Sequence, residues 1–279
     1  MALEDGGRRT ADGGDRALSS LPRPIARVYS LLPLPLRDRV RKIKRPWWSI
    51  FSAALRRAAD GRAFSGPFRG MILGPLYYPQ TLLGTYEREL HPWLERIFAK
   101  PFAHVVDIGG GTGYYAVGLA LRMPTARLTV FELAAAARKI IANVARLNGV
   151  TDRTTLLGEC TPQNLATTIV QGESTFVLID VEGAEIELLD PSTIPPLRDA
   201  TILVETHDIL VPGCRDTVVR RFAATHVIEE VTNTVRTLDD FPPALAPRWR
   251  RWFPRLALEA VRELRGGPQV FMLLTPRGS

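Results

Sequence analysis

The segment Asp107-Ile-Gly-Gly-Gly-Thr-Gly113 places a carboxylate and a run of glycines directly after the apolar residues Val105 and Val106. Glycines at such a point let the backbone turn sharply and approach a ligand with no Cβ in the way. Further along, acids and one histidine stand where other apolar runs end: Phe131-Glu132, Gly158-Glu159-Cys160, Ile179-Asp180 and Val204-Glu205-Thr206-His207. An unperturbed imidazole titrates at about pH 6.5 and accepts a proton at neutral pH, which makes His207 the candidate general base, with Asp180 or Glu205 to orient it. Asp180, Glu205 and His207 would equally suit a hard cation such as Mg²⁺, which lowers the pKa of a bound hydroxyl. Spacing alone leaves base and cation both open. Glu182 and Glu185, just beyond Asp180, fit the start of a helix, where the dipole favours acids.

These residues must be positioned by the segments between them. Apolar patterning predicts strands over 103–108, 127–132, 154–158, 175–180, 200–206, 226–237 and 269–275, and helices over 114–122, 134–147, 163–170, 184–189 and 213–224. Strand and helix alternate, so the expected fold is α/β: a Rossmann-like, seven-stranded, mostly parallel sheet with helices on both faces, plus an N-terminal helical extension. In such a sheet ligands bind at the carboxyl ends of the strands, where the glycine loop falls. Upstream, 81–99 reads as one helix that Pro92 would kink.

The remaining chain divides by composition. Residues 1–20 are rich in Gly, Asp and Arg and read as a disordered tail. Residues 21–99 form a basic, helical cover that includes Trp47-Trp48-Ser-Ile-Phe51 and Met71-Ile-Leu-Gly-Pro-Leu-Tyr-Tyr78, the latter a candidate acceptor-selecting wall. Residues 100–279 form the ligand-binding domain, with an insertion over 238–268 that carries Arg248, Trp249, Arg250, Arg251 and Trp252. That insertion suits a lid, a partner surface or a basic amphipathic helix.

The formal charge of +7 is uneven. Residues 1–70 hold 15 Lys/Arg against 6 Asp/Glu, and the rest 21 against 23. The run over 37–45 would suit an anionic membrane surface; no nucleic-acid motif accompanies it, which argues against that partner. Cys160 and Cys214 form no C-x-x-C pair, which excludes a thiolate zinc site. The charged, glycine-rich first residues are unlike a secretory leader, so the expected location is cytoplasmic, with both thiols free.

The glycine loop departs from the dinucleotide fingerprint G-x-G-x-x-G, whose third glycine would fall at Tyr114. Its spacing, D-x-G-x-G-x-G, resembles the S-adenosylmethionine (SAM) motif of class I methyltransferases. A carboxylate there suits the ammonium of a methionine moiety and would repel a pyrophosphate. Asp180-Val-Glu-Gly-Ala-Glu185, the Val204-Glu-Thr-His207 strand end and Leu83-Gly-Thr-Tyr-Glu87 are similar to FkbM-type methyltransferases over roughly 80–275. The resemblance implies a final antiparallel hairpin, SAM contacts from Asp107, Gly109, Gly111, Gly113, Glu132, Glu159, Cys160 and Asp180, and methyl transfer to a hydroxyl of a small molecule such as a sugar or natural product. A macromolecular or membrane-associated acceptor, and a SAM-binding protein that does not methylate, are the alternatives.

Overall fold

The structure, a computed structural model, describes residues 46–278 apart from 246, 264 and 266. The expected tail over 1–20, the basic run over 37–45 and the cover up to residue 45 lie outside the described residues. The described residues fall in two units: 46–51 with 265 and 267, and 52–263 with 268–278. In the first, Trp48 and Phe51 stack with ring centroids 6.1 Å apart near the start of helix α1 (Pro46–Ala58). Everything below concerns the second.

Its sheet has seven strands, β1 (His104–Ile108), β2 (Arg127–Phe131), β3 (Thr154–Leu157), β4 (Thr175–Ile179), β5 (Thr201–Thr206), β6 (His226–Thr232) and β7 (Val270–Pro276), in the order β3-β2-β1-β4-β5-β7-β6. β7 runs antiparallel to both neighbours, and the other pairs are parallel. β1, β4 and β5 are buried along their whole length, which is why they read as continuous apolar runs. Val106, Val177, Ile202 and Met272 face one core with Leu165, Leu188, Val218 and Phe222, from α6 (Pro162–Thr168), α7 (Glu185–Leu188) and α8 (Cys214–Phe222). On the other face α4 (Tyr114–Arg122) packs on β1 and β2 and on α5 (Ala135–Leu147).

The expected helix over 81–99 is two helices. α2 (Pro79–Leu83) stops at Gly84, whose φ of 72° is left-handed, and α3 (His91–Phe98) begins with Pro92 in its first turn, where a missing N–H costs nothing. β6 ends at Thr232, five residues before the expected end, because β7 begins opposite it at Val270. Residues 68–72 of the expected cover lie along α4 and α5: the ring of Phe68 fills the space over Gly118, and Asn148 exchanges hydrogen bonds of 2.9 and 2.8 Å with the backbone of Ile72. Met71 and Leu73, in the expected acceptor wall, are buried core, whereas Tyr78 is exposed. Between β6 and β7 stand α9 (Pro247–Trp252) and α10 (Pro254–Val261).

Candidate functional site

Parallel order reverses direction at β1, which has β2 on one side and β4 on the other. Gly109 and Gly110 N–H donate to Phe131 O at 2.9 and 3.2 Å, and Asp180 N–H donates to Ile108 O at 3.0 Å, so the loop rises between the ends of both neighbours. Gly109 has φ of 95°, and a Cβ there would stand 1.9 Å from Asp180 O. No other residue fits without moving β4. Gly111 and Gly113 also have positive φ, and Gly113 leads into α4.

Glu132 reaches back from the end of β2 to this loop. One carboxylate oxygen accepts from Gly111 N–H at 2.8 Å and the other from Ala134 N–H at 2.7 Å. A carboxylate has about four lone-pair sites, so acceptor capacity remains for a ligand's hydroxyls. Asp107 lies beneath the loop, 1% exposed, with no hydrogen-bond partner for either carboxylate oxygen among the described residues. Burial, followed by the charges of Asp180 and Glu132, pushes its pKa up to about 7. At the end of β3, Glu159 is exposed, and its carbonyl accepts from Asn164 in the capped first turn of α6. Cys160 packs against the core, and burial pushes its thiol up to about 12, which leaves it protonated at neutral pH.

The ends of β4 and β5 form the other half. His207 Nε2 lies 3.8 Å from an oxygen of Asp180 and 3.7 Å from one of Glu205. One donor atom from each of the three residues can be chosen so that all lie within 4.8 Å of one another. Nδ1 is taken by Glu185, at 2.5 Å. Glu185 is fully buried, and its carboxylate also accepts from Gly183 N–H at 3.3 Å and the Cys214 thiol at 3.9 Å. The hydrogen bond to Glu185 raises the pKa of His207 above its ordinary value, against the opposing pull of burial, and the charges of Glu205 and Asp180 add to it.

Glu185 stands at the helix start that the sequence predicts. Its helical position is right, yet the carboxylate turns inward onto Nδ1, and Asp180 and Glu205 flank Nε2 instead. The spacing of Asp180 and Glu185 on either side of Gly183 is the only signal that could have pointed there. Two further polar contacts were not foreseen. Tyr115, on the first turn of α4, donates to Glu87 at 2.5 Å; Glu87 is buried with φ of 46°. Arg236 is buried between Glu89 and Glu263, at 2.6 and 2.7 Å.

In strand order, the sheet edge therefore carries Glu159 and Cys160, then Glu132, the glycine loop over Asp107, Asp180, and finally Glu205 and His207. Asp180 joins the halves, since its carbonyl meets Gly109 and its carboxylate faces His207.

No protein-family model and no curated protein matches the chain. Among solved structures, it is similar to the O-methyltransferase TomG from Streptomyces achromogenes, in complex with SAM, at 18% identity over 80% of this chain and 89% of that one, with a TM-score of 0.42. It is also similar to geranyl diphosphate C-methyltransferase from Streptomyces coelicolor A3(2), at 15% identity over 76% and 86%, with a TM-score of 0.42. A third, precorrin-6y C5,15-methyltransferase from Geobacter metallireducens GS-15, gives 12% identity over 66% and 88%, with a TM-score of 0.43.

Proposed function

We propose that the chain is a SAM-dependent methyltransferase of the FkbM type that methylates a hydroxyl of a small molecule. The observation that carries this reading is the buried Asp107 carboxylate, unpartnered among the described residues, beneath a glycine loop at the point where sheet order reverses. A buried acid with no partner is costly, and a ligand ammonium brought over the glycines supplies the missing charge. A pyrophosphate at the same place would add negative charge beside Asp107, Glu132 and Asp180. Glu132 then serves ribose hydroxyls, and Glu159 with the Cys160 N–H serves adenine. SAM supplies an activated methyl group with a good leaving group, so the chain must align the acceptor hydroxyl and take its proton.

His207 is the group for that proton. With Nδ1 bonded to Glu185, Nε2 is the atom left to receive it, and the carboxylates on either side stabilise the imidazolium that forms. The test is incubation of purified protein with SAM and a hydroxyl-rich metabolite extract, followed by mass spectrometry. Formation of S-adenosylhomocysteine together with an acceptor heavier by one CH₂ is expected. SAM that neither binds nor turns over would sink the reading; SAM that binds without turnover would support the non-methylating alternative.

A second reading is favoured by the close approach of the donor atoms of Asp180, Glu205 and His207. A divalent cation held there would lower the pKa of the acceptor hydroxyl, with Glu185 fixing the ring from behind, as outer carboxylates commonly do for metal-bound histidines. Chelator decides between the two. Activity unchanged by chelation and by added Mg²⁺ leaves His207 as the base.

A further inference from the structure

Thr206, Val270 and Thr232 lie in one row of the sheet, since Val270 pairs with both threonines. The segment after β5, the segment after β6 and the insertion before β7 all leave from this row. Each of these connections carries exposed apolar side chains: Ile209 and Leu210 after β5, Val235 after β6, and Trp252 and Phe253 in the insertion. Trp252 is 63% exposed and Phe253 47%, and large aromatics left in water at this level mark contact surfaces. The turn that bears them is held in place. Immediately downstream, Ala257, Ala260 and Val261 of α10 are fully buried, and α10 packs on α2 and on the 3₁₀ turn Leu238–Asp240.

Charge indicates the partner. Residues 247–262 hold five arginines and one glutamate. Arg251 and Arg255 are exposed on either side of Trp252 and Phe253. The nearby acids Asp239 and Asp240 are already engaged, by Arg250 and Arg88. Aromatic rings between arginines match a polar and apolar boundary: the rings enter the acyl margin while the guanidinium groups meet anionic headgroups.

We infer that the turn Arg251–Arg255, with two exposed aromatic rings between exposed arginines, docks the protein on an anionic lipid surface. The inference stands independently of methyl transfer.

Flotation of the full chain with vesicles tests it, using phosphatidylcholine alone and phosphatidylcholine mixed with phosphatidylglycerol. Binding to the mixed vesicles only, weakened by salt, is expected. Arg251→Gln with Arg255→Gln should weaken it about fivefold for each arginine removed, and Trp252→Ala with Phe253→Ala by at least about tenfold. Arg251, Trp252 and Arg255 are exposed, so thermal unfolding should be unchanged in the arginine variant and in Trp252→Ala alone, which should itself weaken flotation. Failure of the parent protein to float with either vesicle overturns the inference. Parent-like flotation of both variants also overturns it, by moving the contact elsewhere in the chain. Self-association without flotation, abolished by Trp252→Ala with Phe253→Ala, would assign the patch to a protein contact and overturn it as well.

Discussion

Glu185 Oε1 lies 2.5 Å from His207 Nδ1, joining the first residue of α7 to the residue that follows β5. Because Glu185 is fully buried and also accepts from Gly183 and Cys214, its carboxylate is held before the imidazole reaches it. Nδ1 therefore donates, and Nε2 is directed toward Asp180 and Glu205. One hydrogen bond sets the tautomer, the ring plane and the direction of the pKa shift of His207.

Glu185→Gln keeps the shape and removes the charge. His207 should then ionise at lower pH than in the parent, and the acid limb of the methyl-transfer profile should move the same way, with kcat lower by roughly ten- to a hundredfold. His207→Ala should lose more, about a hundredfold or beyond, while SAM affinity stays within about twofold. In the parent the raised pKa of His207 contributes stability that is complete below the unfolded value of about 6.5 and is lost as pH rises through the folded value. A Glu185→Gln profile that superimposes on the parent's would refute the orienting role.

Asp107 gives the opposite sign from a paired acid. Its unfolded pKa is near 3.9 and its folded value about 7, so without ligand the folded state holds the extra proton between those values and stability falls as pH rises across that window. The loss is at most about 4 kcal/mol, complete once pH exceeds the folded value. Asp107→Asn should remove this slope, seen by urea denaturation of ligand-free protein at pH 5 and pH 8, and should weaken SAM binding about tenfold or more at pH 8. Equal slopes in parent and variant would show that Asp107 is ionised from low pH.

How much of this could be read from residues alone depended on range. Tyr114–Arg122 matches its expected bounds because a glycine turn precedes it and its apolar spacing faces one core. Ile108, Phe131 and Ile179 end their strands within a residue of expectation because parallel strands are buried on both faces. Where one residue's backbone or a distant partner decides, patterning fails: left-handed Gly84 splits an apparently continuous helix, and 233–237 alternates like a strand with no strand opposite it among the described residues. The strand-end acids were legible by position. Glu185 and Arg236 were not, since their partners lie 22, 147 and 27 residues away.

The loop should tolerate no side chain at its first glycine. Gly109→Ala would put a Cβ 1.9 Å from Asp180 O at φ of 95°, and the expected cost exceeds about 3 kcal/mol, with SAM binding lost. Gly149→Ala is the control, since its φ of 68° is also left-handed but nothing lies within 4 Å of the new Cβ; it should cost only about 1–2 kcal/mol. Chemical denaturation of both variants separates crowding from backbone strain, and equal costs would remove the steric argument for Gly109.

Arg236 ties the segment after β6 to Glu89, before α3, and to Glu263, just after α10. Burial acts to raise the pKa of Glu89, but the hydrogen bonds from Arg236 and Thr234 outweigh it and hold the carboxyl down at about 2. Its contribution to stability is therefore present above the unfolded value of about 4.3 and is lost as pH falls toward the folded value. Arg236→Met takes the guanidinium away from two buried carboxylates, although Glu89 keeps its hydrogen bonds from Thr234 and Glu263 the one from Glu87 N–H, and should cost about 3–5 kcal/mol at pH 7. At low pH Glu89 of the variant takes up a proton and its uncompensated charge is lost, so the gap between variant and parent should narrow. Urea denaturation at pH 7 and pH 3.5 measures both gaps; an equal gap at the two pH values would mean that the arginine acts through packing of its stem and not through its charge.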